Sequence, residues 1–295
     1  MIINTLTEYI NAIEKLKRNY SYESLSDTGE FQGAGGVTTP NFIYRGQGNY
    51  KKNILIPGAF RWTKSSEGYD VGEYSLLEYN ILADFISDGC RYIMDVPTSD
   101  LIAWMEIAQH FGAPTRLLDF TENPLVALYF ACSNLIDTNA SVWIVNESAY
   151  NETYFGSQIL FPTYAKGLID GVVDCEIVRT RNTAEDSCTQ YPVIYRPAYR
   201  EERMSAQSSV FMLWGSKRTS FTDMIPKEQH MIFDEGPKNR KNGILCYFEI
   251  PKSSKKKILS QLSELGVNEK YIFPGLDGVG KYIRKKYSTK KSVFS

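Results

Sequence analysis

Apolar positions recur at helical spacing near the start of the chain. Leu6, Tyr9, Ile10, Ile13 and Leu16 form one stripe, which predicts an amphipathic helix over residues 5–18 with Thr5 or Thr7 as its cap. Residues 73–87 and 98–111 read as two further helices. In the second, Leu101, Trp104, Met105, Ala108 and Phe111 share a face, Thr98 or Ser99 supplies the N-cap, and Gly112-Ala113-Pro114 ends it. Asn123 and Pro124 then have the order of an N-cap and a first helical position, opening a helix that turns Leu125, Leu128, Tyr129, Cys132 and Leu135 inward. Strand-like runs follow at 141–145, 192–195, 208–213 and 242–250, with an early one at 41–45 that ends in Gly46-Gln47-Gly48. A basic helix at 253–265, a strand at 270–273 and a last helix near 279–286 complete the pattern. Residues 21–40 are polar and Gly-rich, a long loop of the kind that serves as a lid or mobile segment.

Helices dominate the first half and strands the second. This predicts an α+β fold with a mixed or split β-sheet core and flanking helices, rather than alternating βαβ units. The division expected is an N-terminal helix and flexible loop over 1–40, then one α+β domain over 41–295 that includes a basic C-terminal helix and tail.

The polar residues are densest within 106–131, where two helical patterns enclose a short polar insert. His110, Thr115, Arg116, Asp119, Thr121, Glu122 and Asn123 fall within fourteen positions. Each has two readings. His110 is either a cation stabilised by a helix C-terminus or a donor turned into a pocket. Arg116 and Asp119, three apart, pair to fix the loop or serve a ligand. Thr121 and Asn123 cap a helix whose N-terminus is also a ready anion site. Outside this stretch, Arg45 stands between Tyr44 and Gly46. It is a surface residue at a strand end or a guanidinium beside a glycine turn, suited to bidentate contact with phosphate. A second polar knot, Arg203 to Phe211, places Gln207 just before an apolar strand, as an edge hydrogen bond or as an amide facing a cleft.

Composition adds mostly exclusions. A chain of 295 residues with 43% hydrophobic and 23% charged residues and a net charge of −1 reads as an ordinary globular protein without a global pull toward nucleic acid or membrane. The basic residues cluster late, at Lys252, Lys255, Lys256 and Lys257 and then at Lys281, Arg284, Lys285, Lys286, Lys290 and Lys291. They form a solvated helix face with a frayed tail, or contact a phosphate-rich partner. The five cysteines show no C-x-x-C spacing, and there are only two histidines, so neither a disulfide framework nor a metal site is expected. Cys132 reads as buried packing. Gly33-Ala34-Gly35-Gly36 follows no strand and opens no helix, which makes it a flexible loop rather than a phosphate loop. The start lacks a signal-peptide pattern and no run reaches transmembrane length, so a cytoplasmic protein without a membrane partner is expected.

These segments together resemble the FRG domain, a bacterial family named for an aromatic–Arg–Gly motif, here Tyr44-Arg45-Gly46-Gln47. The central signature is Gln109-His110-Phe111-Gly112-Ala113-Pro114-Thr115-Arg116-Leu117-Leu118-Asp119-Phe120-Thr121, followed by Pro124 to Ala131. Arg203 to Phe211 and Ile272 to Gly278 continue the likeness, which runs from about Phe42 to Gly280. Ser209 departs from the family's usual Gly after the Gln, and Gly275 from its common Asp.

The order Arg45, Thr115–Tyr129 block, Gln207 is also similar to the ADP-ribosyltransferase superfamily. That resemblance implies an NAD-dependent ADP-ribosyltransferase-like enzyme, in a bacterial toxin or phage-defence effector, with NAD as substrate and no metal. Arg45, His110 and Gln207 would be catalytic; Tyr44, Arg45, Gln47, Arg116, Asp119, Thr121 and Tyr129 would bind the cofactor. In detail, Arg45 would hold phosphate or ribose, His110 or Arg116 the second phosphate or the adenosine ribose, Tyr129 would stack on nicotinamide, and Gln207 would bond a ribose hydroxyl. A neutral Gln stabilises a cation less than a carboxylate does. The implied acceptor is therefore open between protein and nucleic acid. The alternatives are a nucleic-acid-binding or nucleic-acid-modifying module and a non-catalytic ligand or interaction domain.

Overall fold

A computed structural model of the chain describes residues 1–23, 37–51, 55–62, 71–157, 167–169, 190–197, 202–215, 217, 219–233 and 243–288. Its centre is a six-stranded sheet. In chain order the strands are β3 (Phe42–Gln47), β4 (Leu117–Thr121), β5 (Ala140–Asn146), β6 (Val193–Tyr195), β7 (Ser209–Leu213) and β8 (Leu245–Ile250); β1 (Tyr22–Glu23) and β2 (Val37–Thr38) form a separate ribbon. In space the order is β6-β7-β4-β3-β5-β8, and every pairing is antiparallel. The α+β class therefore holds, and what the sequence left as mixed or split is one antiparallel sheet with a weak seam. β3 pairs with β5 over six residues but with β4 at a single pair, Tyr44 and Thr121. Beyond that pair the two central strands share no further register.

Because strand side chains alternate, the sheet offers two faces. One carries Phe42 and Tyr44 of β3, Val142 and Ile144 of β5, and Phe248 and Ile250 of β8. It packs against α1 (Leu6–Tyr20), α5 (Pro124–Ser133) and α9 (Lys252–Glu264). Further along the same face, Leu117, Val193, Tyr195, Phe211 and Leu213 meet α3 (Val71–Gly89) and α4 (Leu101–His110). The opposite face, with Ile43, Leu118, Phe120, Val145, Val210 and Met212, lies under α2 (Gly58–Trp62), α6 (Glu147–Phe155) and α8 (Phe221–Met224). α7 (Glu202–Ala206), α10 (Glu269–Ile272) and α11 (Leu276–Ser288) are further helices. The first helix thus buries Leu6, Tyr9, Ile13 and Leu16 in the main core, while Ile10 faces solvent.

The caps follow local chemistry. Thr5 accepts the Glu8 N–H at 3.1 Å, and Asn123 accepts the Leu125 N–H at 2.9 Å with Pro124 in the first helical turn. α4 is capped by Asp100, which accepts the Ala103 N–H at 3.1 Å, instead of by Thr98 or Ser99. Phe111 is this helix's C-cap and is exposed, not part of its buried face.

Two element assignments change. The segment between α4 and α5 contains β4, a central strand, and 270–273 is helical in α10 rather than extended. Leu117-Leu118 breaks the alternation that marks a half-buried strand, because β4 is covered on both faces. The Gly33–Gly36 stretch, Cys175, Cys188, Lys290 and Lys291 lie outside the described residues. Cys132 is buried, as expected.

Two contacts fix α5 onto the sheet. A Cβ at Gly46 would stand 1.9 Å from the Ala127 carbonyl oxygen, so only glycine lets the helix backbone come this close to β3. At the far end of α5, the fully buried Lys255 ammonium donates to the carbonyls of Gly48, Asn134, Leu135 and Thr138 at 2.9–3.0 Å. It thereby satisfies carbonyls past the helix C-terminus, where orphan acceptors accumulate.

Candidate active site

The weak seam between β3 and β4 opens into a cleft of about 450 Å³. The sheet contributes Tyr44, Arg45, Gly46, Asp119, Thr121, Ser209 and Phe211; α4 contributes Glu106, Gln109 and His110; α5 contributes Val126, Ala127 and Phe130. Arg61 of α2 and the segment Arg203, Met204 and Gln207 also line it. No helix of the described residues is long and apolar enough to cross a membrane, and no cluster of metal-ligating side chains occurs among them.

Arg45 spans the seam. Its Nη1 donates to the Asp119 main-chain carbonyl and lies 3.7 Å from Asp119 Oδ2, so the side chain ties the two diverging strands together. Its Nε is buried without a hydrogen-bond partner among the described residues. Burial pulls the Arg45 pKa below its ordinary value; Asp119 opposes this and Arg61 adds to it. Arg61 is shifted in the same direction, again by burial first and with Asp119 opposing. Two guanidiniums thus share one carboxylate, and a buried N–H donor lacks an acceptor. Both conditions favour an incoming anion.

The polar floor is held rigidly. Gln109 donates to Asp119 Oδ2 at 3.1 Å and to the Leu117 carbonyl at 3.3 Å, and accepts from the Thr115 hydroxyl. Thr121 donates to the Gln207 carbonyl at 2.5 Å and accepts the Asn123 N–H at 3.0 Å. The Gln207 amide donates to the Ile272 carbonyl at 2.9 Å, joining the cleft to α10. The Asp119 side chain is 59% exposed and stays reachable from solvent.

Of the residues singled out from sequence, Tyr44, Arg45, His110, Asp119, Thr121 and Gln207 line this one cleft. The Tyr44 phenol itself is buried in the main core, and burial pushes its pKa up. Three others stand elsewhere. Gln47 accepts the Trp143 indole N–H at 3.0 Å, toward β5 and away from the β4 seam. Arg116 is fully buried and bound to Glu78, so the expected Arg116–Asp119 pair does not form. Tyr129 is buried with its hydroxyl on Glu269; its pKa is raised by burial, by the Glu269 charge and by that hydrogen bond.

Two charged cleft residues escaped the sequence reading. Glu106 carries a signal: with Gln109 and His110 it sits at positions i, i+3 and i+4, a polar stripe on an otherwise apolar helix. Arg61 carries none, because residues 58–62 show no pattern that marks them. The basic C-terminal segment lies partly against the protein: Lys285 pairs with Glu269 at 2.6 Å, and the Lys281 ammonium sits 4.9 Å from the centre of the Phe273 ring.

Comparison with known proteins adds the family. No curated protein and no solved structure matches the chain. One family model does match, and its span takes in β3, α4, β4 and α5 but stops short of Arg203 and Gln207. Residues 40–140, which supply the seam, the Gly46 contact and most of the cleft, match the model of the FRG domain family.

Proposed function

We propose that the cleft binds the ADP-ribosyl part of NAD and that the protein is an ADP-ribosyltransferase-like enzyme. The observation that carries this reading is Arg45. It is a largely buried guanidinium at the seam, with an unpartnered Nε and with Arg61 beside it. A diphosphate offers the acceptors and the charge that this pair lacks.

Arg45 and Arg61 hold the diphosphate. His110, on the α4 side of the cleft, reaches a ribose or phosphate oxygen. Gln207 has its amide nitrogen fixed on Ile272, and this orients its side chain at the cleft margin. NAD supplies the N-glycosidic bond that is broken; the chain supplies position and electrostatics. The acceptor is a protein, a nucleic acid or water, and such an activity would suit a bacterial toxin or a phage-defence effector.

Titration calorimetry with ADP-ribose and NAD, together with chromatographic detection of nicotinamide, tests the reading. Binding of ADP-ribose by the wild type, lost in an Arg45→Ala variant that is still folded, is the expected result. Folded wild-type protein that neither binds ADP-ribose nor releases nicotinamide overturns it.

A further inference from the structure

The positive charge of the chain is gathered at one end. Residues 269–295 carry seven lysines and arginines against two acidic residues, whereas the rest of the chain carries 26 against 32. Such a segment attracts polyanions even where the net charge is near zero. The fold brings part of it to the margin of the cleft. Phe130, which lines the cleft from α5, meets Phe273 edge-on with ring centres 6.2 Å apart. The Phe273 ring holds two cations, the Arg203 guanidinium and the Lys281 ammonium, each 4.9 Å from its centre. Arg203 itself lines the cleft. On the adjoining pair of helices, the Lys270 ammonium of α10 lies 4.5 Å from the centre of the Tyr282 ring of α11.

None of these three cations has a carboxylate partner among the described residues; Glu269 is taken by Lys285. A ring face attracts a cation through its quadrupole but carries no net charge. Arg203, Lys281 and Lys270 are therefore positioned and still keep their charge for an outside anion. The row is also fixed to the cleft. Gln207 donates to the Ile272 carbonyl at 2.9 Å, and Lys285 closes α11 onto Glu269 at 2.6 Å. Gly278 lets α11 lie so near α10 that a Cβ there would stand 2.8 Å from the Glu269 carbonyl oxygen.

We propose that Arg203, Lys281 and Lys270 form a binding surface for the phosphates of single-stranded nucleic acid, running from the cleft onto α10 and α11. The proposal goes beyond the ADP-ribosyl reading and does not depend on it. Arg45, Arg61 and Arg203 line one cleft, and the two lysines extend their charge outside it. Charges spread along a surface in this way match a polymer of phosphates better than a lone anion. The strand is unpaired because a nucleotide held on this row reaches the cleft only when its base is out of a duplex. Tyr271, next to Lys270 and 41% exposed, offers an aromatic face on which a base can stack.

The test is fluorescence anisotropy with a labelled single strand of about 20 nucleotides, in DNA and RNA forms, without NAD. Wild-type protein binds at least one of them at low salt, more tightly than the same sequence as a duplex. Lys270→Gln and Lys281→Gln each lower the slope of log affinity against log salt by about 0.7. The double variant weakens binding by about tenfold or more. Lys256→Gln with Lys257→Gln, the same change of charge on α9, leaves affinity within about twofold of wild type. The two single variants keep the test decisive if the double one fails to fold. No binding of either single strand at low salt overturns the proposal, as does unchanged affinity and salt slope in the Lys270 and Lys281 variants. An equal loss in the α9 control overturns it too. So does binding of duplex, polyglutamate or phosphatidylglycerol vesicles as tight as that of the single strand. Because NAD is absent throughout, these outcomes leave the ADP-ribosyl reading to be decided by the ADP-ribose titration.

Discussion

Arg116 and Glu78 form a buried ion pair that joins the start of β4 to α3. Arg116 Nε donates to both carboxylate oxygens, at 2.9 and 2.7 Å, and Nη1 donates to the Trp214 carbonyl at 3.3 Å. Neither side chain is meaningfully exposed. Removing one partner leaves the other as an uncompensated buried charge, which costs about 3–5 kcal/mol. Glu78→Ala and Arg116→Ala are each expected to lose that much stability in urea unfolding, whereas Glu78→Leu with Arg116→Met recovers most of it. A double variant no more stable than either single one would show that the charges themselves are required.

Gly46 makes the opposite kind of demand, for the absence of a side chain. In Gly46→Ala the new Cβ would lie 1.9 Å from the Ala127 carbonyl oxygen and 2.6 Å from the Ala131 nitrogen. Both are helix backbone atoms, so no rotamer change relieves the contact and α5 must move off β3. Overpacking against atoms that cannot yield costs about 3 kcal/mol or more. Gly280→Ala is the control: the site is open and helical, and the change gains up to about 1 kcal/mol. Equal unfolding midpoints for the two variants would refute this account of the Arg–Gly motif.

These two positions show what the sequence makes legible. α1 is readable because its single apolar stripe and its polar cap agree, whereas α5, apolar nearly all round, is readable from its Asn123-Pro124 start. β4 is not, because burial on both faces erases its alternation. Arg45 and Gln207 stand out as polar residues beside apolar strands, and the cleft does join them. Arg116 stands out for the same reason and has a structural role, since its partner Glu78 is thirty-eight positions away and nothing local announces the pairing. Glu106 went unread because its neighbours along the chain are apolar; only the helical register connects it with Gln109 and His110.

Ser208 occupies the left-handed region with φ of 46°, in the turn that leads from Gln207 into β7. Its N–H and carbonyl are both used, bonding Ser205 and Glu122, so the conformation is fixed by the turn. The FRG resemblance puts a glycine one position later, at Ser209, but Ser209 already pairs with Thr121 in the strand. A left-handed non-glycine residue costs about 1–2 kcal/mol, partly offset by the extra unfolded-state freedom of glycine. Ser208→Gly is therefore expected to raise stability by about 0.5–1 kcal/mol in denaturant unfolding. A loss of stability would place the importance of Ser208 in its side chain.

Glu269 gives a pH dependence with a definite sign. Burial raises its pKa, but hydrogen bonds from Lys285, from its own backbone N–H and from Tyr129, with the Lys285 charge, bring it below the ordinary value of 4.5. The folded state thus holds the carboxylate more acidic than the unfolded state does. The stability this supplies is fully present above the ordinary carboxylate range and disappears as pH falls through the lower, folded value. Glu269→Gln removes the titration while keeping the shape. The stability difference between wild type and Glu269→Gln, read from urea unfolding at successive pH values, is expected to be constant near neutrality and to shrink below about pH 4.5. A difference that holds constant into strong acid, or grows there, would contradict the assignment. Because Gln207 donates to the Ile272 carbonyl in the same short helix, the acid loss at Glu269 should also loosen the cleft margin, and ADP-ribose affinity should fall over the same range.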